Sequence, residues 1–149
     1  MKICLCSVPV EGVGEKPSRL RSEGSMGIGP KMAIVSLVKW MERNGWKSDS
    51  CKFYDIDMLL PSDDDVRKFF VEYQPTIVGL SAVVSSSYGQ VMRISSIIRE
   101  VCPDAWIVVG GSIADSAAVI LSKTETDLCV KGNGEIAWVN FINYVKKYK

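Results

Sequence analysis

The 149 residues include no histidine. That absence excludes Ser-His-Asp and Cys-His nucleophilic catalysis, zinc–histidine sites and the commonest general base. The chain is a poor candidate for stand-alone hydrolytic chemistry. It also lacks any apolar run near the roughly 20 residues a membrane span needs. Met1-Lys2-Ile3-Cys4-Leu5 opens like a signal peptide, but Pro9 and Glu11 cut the apolar stretch short. A cytoplasmic location is therefore expected. Charge of one sign is missing too: 18 Lys and Arg face 17 Asp and Glu, a net +1. Neither nucleic acid nor an anionic membrane is an expected partner. The five cysteines, Cys4, Cys6, Cys51, Cys102 and Cys129, contain no C-x-x-C and no zinc or iron–sulfur spacing. Cys4 and Cys6 would share one face of a strand, a poor geometry for a disulfide. All five read as reduced thiols, mostly buried.

What is present is alternation. Lys2 to Val8 reads as a central strand. The segment from Pro9 to Pro30, with five glycines, is a long connection of the kind that is more often functional than idle. Pro30 suits the first turn of a helix over Lys31 to Asn44, whose Met32, Ile34, Val35, Val38 and Met41 follow helical spacing before Gly45. Ser48 to Tyr54 is a second strand with Cys51 and Phe53 on one face. Ser62 and the acidic run Asp63-Asp64-Asp65 start a helix that ends near Tyr73, before Pro75. Thr76 to Val84 is almost continuously apolar, as a strand buried on both faces is. Tyr88 to Val101 is helical; Trp106 to Val109 is the fourth strand; a weak helix covers about Ala114 to Leu121. Leu128 to Val130 is the fifth strand and Glu135 to Tyr148 the last helix. Five strand–helix alternations predict one α/β domain over residues 1–149. Its core would be a three-layer, doubly wound, flavodoxin/Rossmann-like sheet of five parallel strands.

Ligands of such sheets sit beyond the strand carboxyl ends. Three of those ends carry unusual chemistry: Ser81-Ala82 and then Ser85-Ser86-Ser87 after strand three, Gly110-Gly111-Ser112 after strand four, and Gly132-Asn133-Gly134-Glu135 after strand five. Glycine there lets backbone approach a bulky flat ligand, and hydroxyls add donors without bulk. One glycine turn is ordinary loop chemistry; three on one rim beside a serine cluster point to a site. The four tryptophans read as core or rim packing, with Trp138 and Tyr88 also placed to cover the edge of a flat ligand. Lys146-Lys147-Tyr148-Lys149 reads as a solvated helix end with dipole-favoured cations.

The order and spacing of these pieces resemble the amino-terminal cobalamin-binding domain of cobalamin-dependent radical SAM enzymes, class B methyltransferases among them, over nearly the whole chain. The resemblance rests on Met26-Gly27-Ile28-Gly29-Pro30 leading into Leu37-Val38-Lys39-Trp40-Met41-Glu42-Arg43-Asn44-Gly45-Trp46, and on Gln74-Pro75-Thr76-Ile77-Val78-Gly79-Leu80-Ser81-Ala82. It continues through Pro103-Asp104-Ala105-Trp106-Ile107-Val108-Val109-Gly110-Gly111 and Asp127-Leu128-Cys129-Val130-Lys131-Gly132-Asn133-Gly134-Glu135. The family's closing motif is usually G-E-G-E, so Asn133 departs from it.

The resemblance implies a corrin over the rim at strand three, with Ser81 and Ser85 on the nucleotide tail or lower face. It implies Gly110, Gly111 and Ser112 along the tail's channel and Gly132 and Gly134 on its far wall. The histidine-bearing signature D-x-H-x-x-G has no match. Asp55-Ile56-Asp57-Met58-Leu59-Leu60 keeps only its aspartate. The implied cobalamin is therefore base-off and histidine-off. A radical SAM cluster needs C-x-x-x-C-x-x-C, which this chain lacks, so the iron–sulfur cluster and S-adenosylmethionine would belong to a further domain. The implied role is methyl transfer or a related reaction, with a stand-alone corrinoid carrier or sensor as the alternative.

Other readings of the same fold class fit less well. A phospho-receiver needs an aspartate at the end of strand three, where Ser81-Ala82 stand. A flavodoxin-like flavin or nucleotide site needs a phosphate nest after strand one, but Pro9 lacks an N–H and Glu11 repels an anion. Gly27-Ile28-Gly29 lies too far from strand one for a dinucleotide fingerprint.

Overall fold

A computed structural model describes residues 1–10 and 31–148, with backbone alone at Ser48. The long connection after strand one, its Gly27-Ile28-Gly29 and Pro30 lie outside the described residues. Five strands, β1 (Ile3–Ser7), β2 (Cys51–Asp55), β3 (Ile77–Ser81), β4 (Trp106–Gly110) and β5 (Leu128–Val130), form one parallel sheet in the order β2-β1-β3-β4-β5. The helices are α1 (Met32–Arg43), α2 (Ile56–Leu59), α3 (Asp63–Tyr73), α4 (Tyr88–Val101), α5 (Ala117–Lys123) and α6 (Glu135–Tyr148). The expected doubly wound architecture is present.

Side-chain alternation along the strands sorts the core into two layers. Ile3, Leu5, Ile77 and Val108 face α1 and α6, meeting Ile34, Met41, Trp138, Val139, Ile142 and Val145. Cys4, Cys6, Val78, Leu80, Ile107 and Val109 face the other way, against Val66 and Phe70 of α3 and Val91, Ile94 and Ile98 of α4. Each strand of the centre is thus apolar on both faces, which is why its sequence reads as a continuous apolar run.

Several boundaries differ from the sequence expectation for local reasons. The third strand ends at Ser81, not Val84, and Val83 and Val84 are 63% and 40% exposed. Its neighbour β4 stops at Gly110, so beyond Ala82, whose N–H still donates to the Gly110 carbonyl at 3.0 Å, no ladder partner exists. The second strand begins at Cys51, because Ser48–Ser50 forms a 3-10 turn. It is an edge strand, and Phe53, on the same face as Cys51, is 43% exposed there. The weak helix proves to be a 3-10 turn at Ser112–Ser116 followed by α5. The one-turn α2, unforeseen, is started by the Asp55 carboxylate accepting from the Met58 N–H at 3.1 Å. α3 carries a capping box in which Ser62 and Asp65 each accept from the other's backbone N–H.

Candidate functional site

The register aligns a row across the sheet at its carboxyl edge: Asp55, Ser7, Ser81, Gly110 and Val130 are successive neighbours. The strand order reverses between β1 and β3, the place where open α/β sheets open a crevice. A cavity of about 200 Å³ opens there on the α1/α6 side. Ser81, Gly110, Gly111, Gly132, Asn133, Gly134 and Glu135 all line it. Seven of the expected site residues, from three separate strand ends, are thus brought together.

The others lie elsewhere on the rim. Ala82 is fully buried, and its carbonyl accepts from the Ile113 N–H at 3.5 Å. The Ser112 hydroxyl donates to the Val83 carbonyl, tying the loop after β4 to the loop after β3. Ser85 and Ser86 are exposed in the 3-10 turn that precedes α4, outside the cavity lining. Tyr88 packs on the α3/α4 layer, the opposite side of the sheet from the cavity.

Sequence reasoning missed the deeper walls: Leu5, Ile34, Leu37, Gly79, Val108 and Val130. Trp138, expected as core or rim packing with edge cover as the other role, belongs with them. It is 3% exposed, and its indole N–H points to the Met41 sulfur at 3.2 Å. A Cβ on Gly79 would stand 2.7 Å from Leu5 Cδ2 and 3.0 Å from the Trp138 ring, so any larger residue would force Leu5 or Trp138 to shift. The signal was available, since a lone glycine inside a buried strand marks close approach of another group.

The glycines divide by role. Gly111, at φ +92°, would place a Cβ 2.2 Å from the Ala82 carbonyl oxygen; it is needed for the turn itself. Gly132, at φ +70°, is likewise held to glycine by its backbone, although a Cβ there meets nothing within 4 Å; Gly110 is different, since a Cβ there meets only the Val130 carbonyl at 4.0 Å. A side chain at Gly110, which lines the cavity, would take up space that is now open.

Among the described residues, Glu135 is the one ionisable side chain in the lining. The Ser36 hydroxyl donates to it at 2.5 Å across from α1, which holds its carboxyl below the usual range. Beside the cavity, Ser7 donates to Asp55, the Asp57 N–H donates to the Ser7 hydroxyl at 3.3 Å, and Lys31 pairs with Asp57. A larger cleft of about 420 Å³ lies where Pro9, α2 and the starts of α3 and α4 meet. Its Arg93 is already engaged by Asp63 (2.5 Å), Gln90 (2.9 Å) and the Pro61 carbonyl (3.0 Å). The described residues include no group of three His, Cys, Asp or Glu able to hold a metal, and no helix long and apolar enough to cross a membrane.

The model of the B12 binding domain matches residues 25–142, most of the chain. The chain belongs to the B12-binding domain family. No curated protein matches it. The cavity of this B12-binding domain fits part of its cofactor. At about 200 Å³ it is smaller than the roughly 300–1,000 Å³ of sites that enclose a whole drug-sized ligand. That volume leaves room for part of the cofactor and none for a whole corrin. With no histidine in the chain, no imidazole of this domain can ligate cobalt.

Proposed function

We propose that this B12-binding domain holds cobalamin with its lower base removed from the cobalt, the base lodged in the cavity, and no histidine in its place. The observation that carries the reading is the glycine-lined cavity at the switch point, with Gly110 keeping open a space that its backbone conformation does not require. In this reading Ser81, Gly110, Gly111, Gly132, Asn133, Gly134 and Glu135 border the tail. Ser85, Ser86 and Ser112 belong to the rim that faces the corrin, and the buried Ala82 supports that rim from below. The exposed Val83 and Val84 add apolar surface to that rim.

Bound cobalamin supplies a cobalt–carbon bond from which a methyl group can pass to a substrate radical. The chain's own contribution is holding and orientation. Apolar walls exclude water from the base, Ser81 and Asn133 offer polar contacts at the mouth, and the Ser36–Glu135 bond ties α1 to α6 beside it. The context that best matches the sequence pattern is a radical SAM enzyme carrying out methyl transfer or a related reaction. The lack of C-x-x-x-C-x-x-C in this chain keeps a second reading open, a stand-alone corrinoid carrier. A three-cysteine motif following Lys149 in the parent gene supports the enzyme; a gene ending there supports the carrier.

The binding mode has a direct test in the electron paramagnetic resonance of the reconstituted Co(II) form. A base-off, histidine-off site gives cobalt lines without nitrogen splitting. Splitting by an axial nitrogen would overturn the proposal.

A further inference from the structure

We infer that the cavity floor selects cobamides whose lower base is apolar and disfavours those carrying a purine; the inference rests on the tail placement proposed above. The polar side chains of the lining, Ser81, Asn133 and Glu135, come from a strand end, a loop and a helix start, all at the mouth. Gly79 and Val108 precede Ser81 and Gly110 by two residues on the same face, roughly 7 Å deeper at strand rise. At that depth the walls are Leu5, Gly79, Val108 and Trp138, with Ile34 and Leu37 closing from α1 and Val130 from β5. The Gly79 and Val108 peptides lie within paired strands. Among the described residues, the one side-chain N–H at the floor, that of Trp138, is committed to the Met41 sulfur. The floor therefore presents no free donor or acceptor from these groups.

A benzimidazole or phenolic base brings hydrocarbon to this floor. Adenine brings an exocyclic amine and ring acceptors, which would leave water without replacement partners. An apolar pocket rejects an added polar group only modestly, by about a hundredfold at most. The Trp138 ring packs close against Gly79, 3.0 Å from where a Cβ on that glycine would stand, and so forms part of the floor.

The test is equilibrium binding of three corrinoids to the whole chain, followed by absorbance and Trp fluorescence. They are cobalamin, its adeninyl analogue, and cobinamide, which lacks the tail. The inference expects cobalamin to bind about 10–100-fold more tightly than the adeninyl form, and Leu37→Gln, with unchanged melting, to narrow that gap. Val130→Thr replaces it as the probe if Leu37→Gln melts early. Equal affinity for the two tailed forms with weaker cobinamide would overturn the selection and leave the tail placement standing. Equal affinity for all three would overturn both. Retention of none would overturn the proposed function itself.

Discussion

Gly79, Gly110 and Gly111 are alike in sequence and differ in what surrounds them, so they answer substitution differently. Gly79→Ala drives a methyl against Leu5 and Trp138 in a packed core, and should cost about 1–3 kcal/mol in urea unfolding. Gly111→Ala meets the Ala82 carbonyl and a left-handed backbone, with about 1–3 kcal/mol from the conformation alone. Gly110→Leu should leave the unfolding midpoint near that of the parent, because its side chain enters open space. The cysteines also act one by one. Burial pushes Cys51 up to about 12 and raises Cys6, Cys102 and Cys129. In the unfolded chain these thiols ionise near about 8.5. Between that pH and about 12 the unfolded state binds fewer protons than the folded one, so stability falls as pH rises through this window. Urea midpoints measured from pH 8 to 11 should decline, and a flat profile would contradict the burial. The glycine rims could be read from sequence because glycine beside a strand end is a local signal. The cavity's apolar walls could not, since Leu5 and Val108 look like any core residue until the register turns them toward α1 and α6.

Among the elements, those with local punctuation were legible and those set by neighbours were not. α3 is announced by Ser62 and three aspartates and α4 by its helical spacing, and their limits, like those of α6, match the sequence reading. Ser62→Ala removes the capping box and should lower stability by about 1 kcal/mol, read as a shifted urea midpoint. The end of β3 was misjudged because Val83 and Val84 have high strand propensity but no partner strand beyond Gly110. The one-turn α2 depends on the Asp55 cap and on its place beside Ser7, a contact between residues 48 apart that no local pattern reveals.

For the whole molecule, strand order places the cavity. The alternation of strands and helices makes the doubly wound sheet legible, but the order β2-β1-β3-β4-β5 alone gathers Ser81, Gly110 and Gly132 around one cavity. The measurement that tests the central claim most directly is the absorption spectrum of the protein and its Gly110→Leu variant, each incubated with hydroxocobalamin and desalted. The parent should retain corrin bands at close to one per chain. The variant, equally folded, should come through colourless. A colourless parent, or a variant that keeps its corrin undiminished, would contradict a cobalamin held through this cavity.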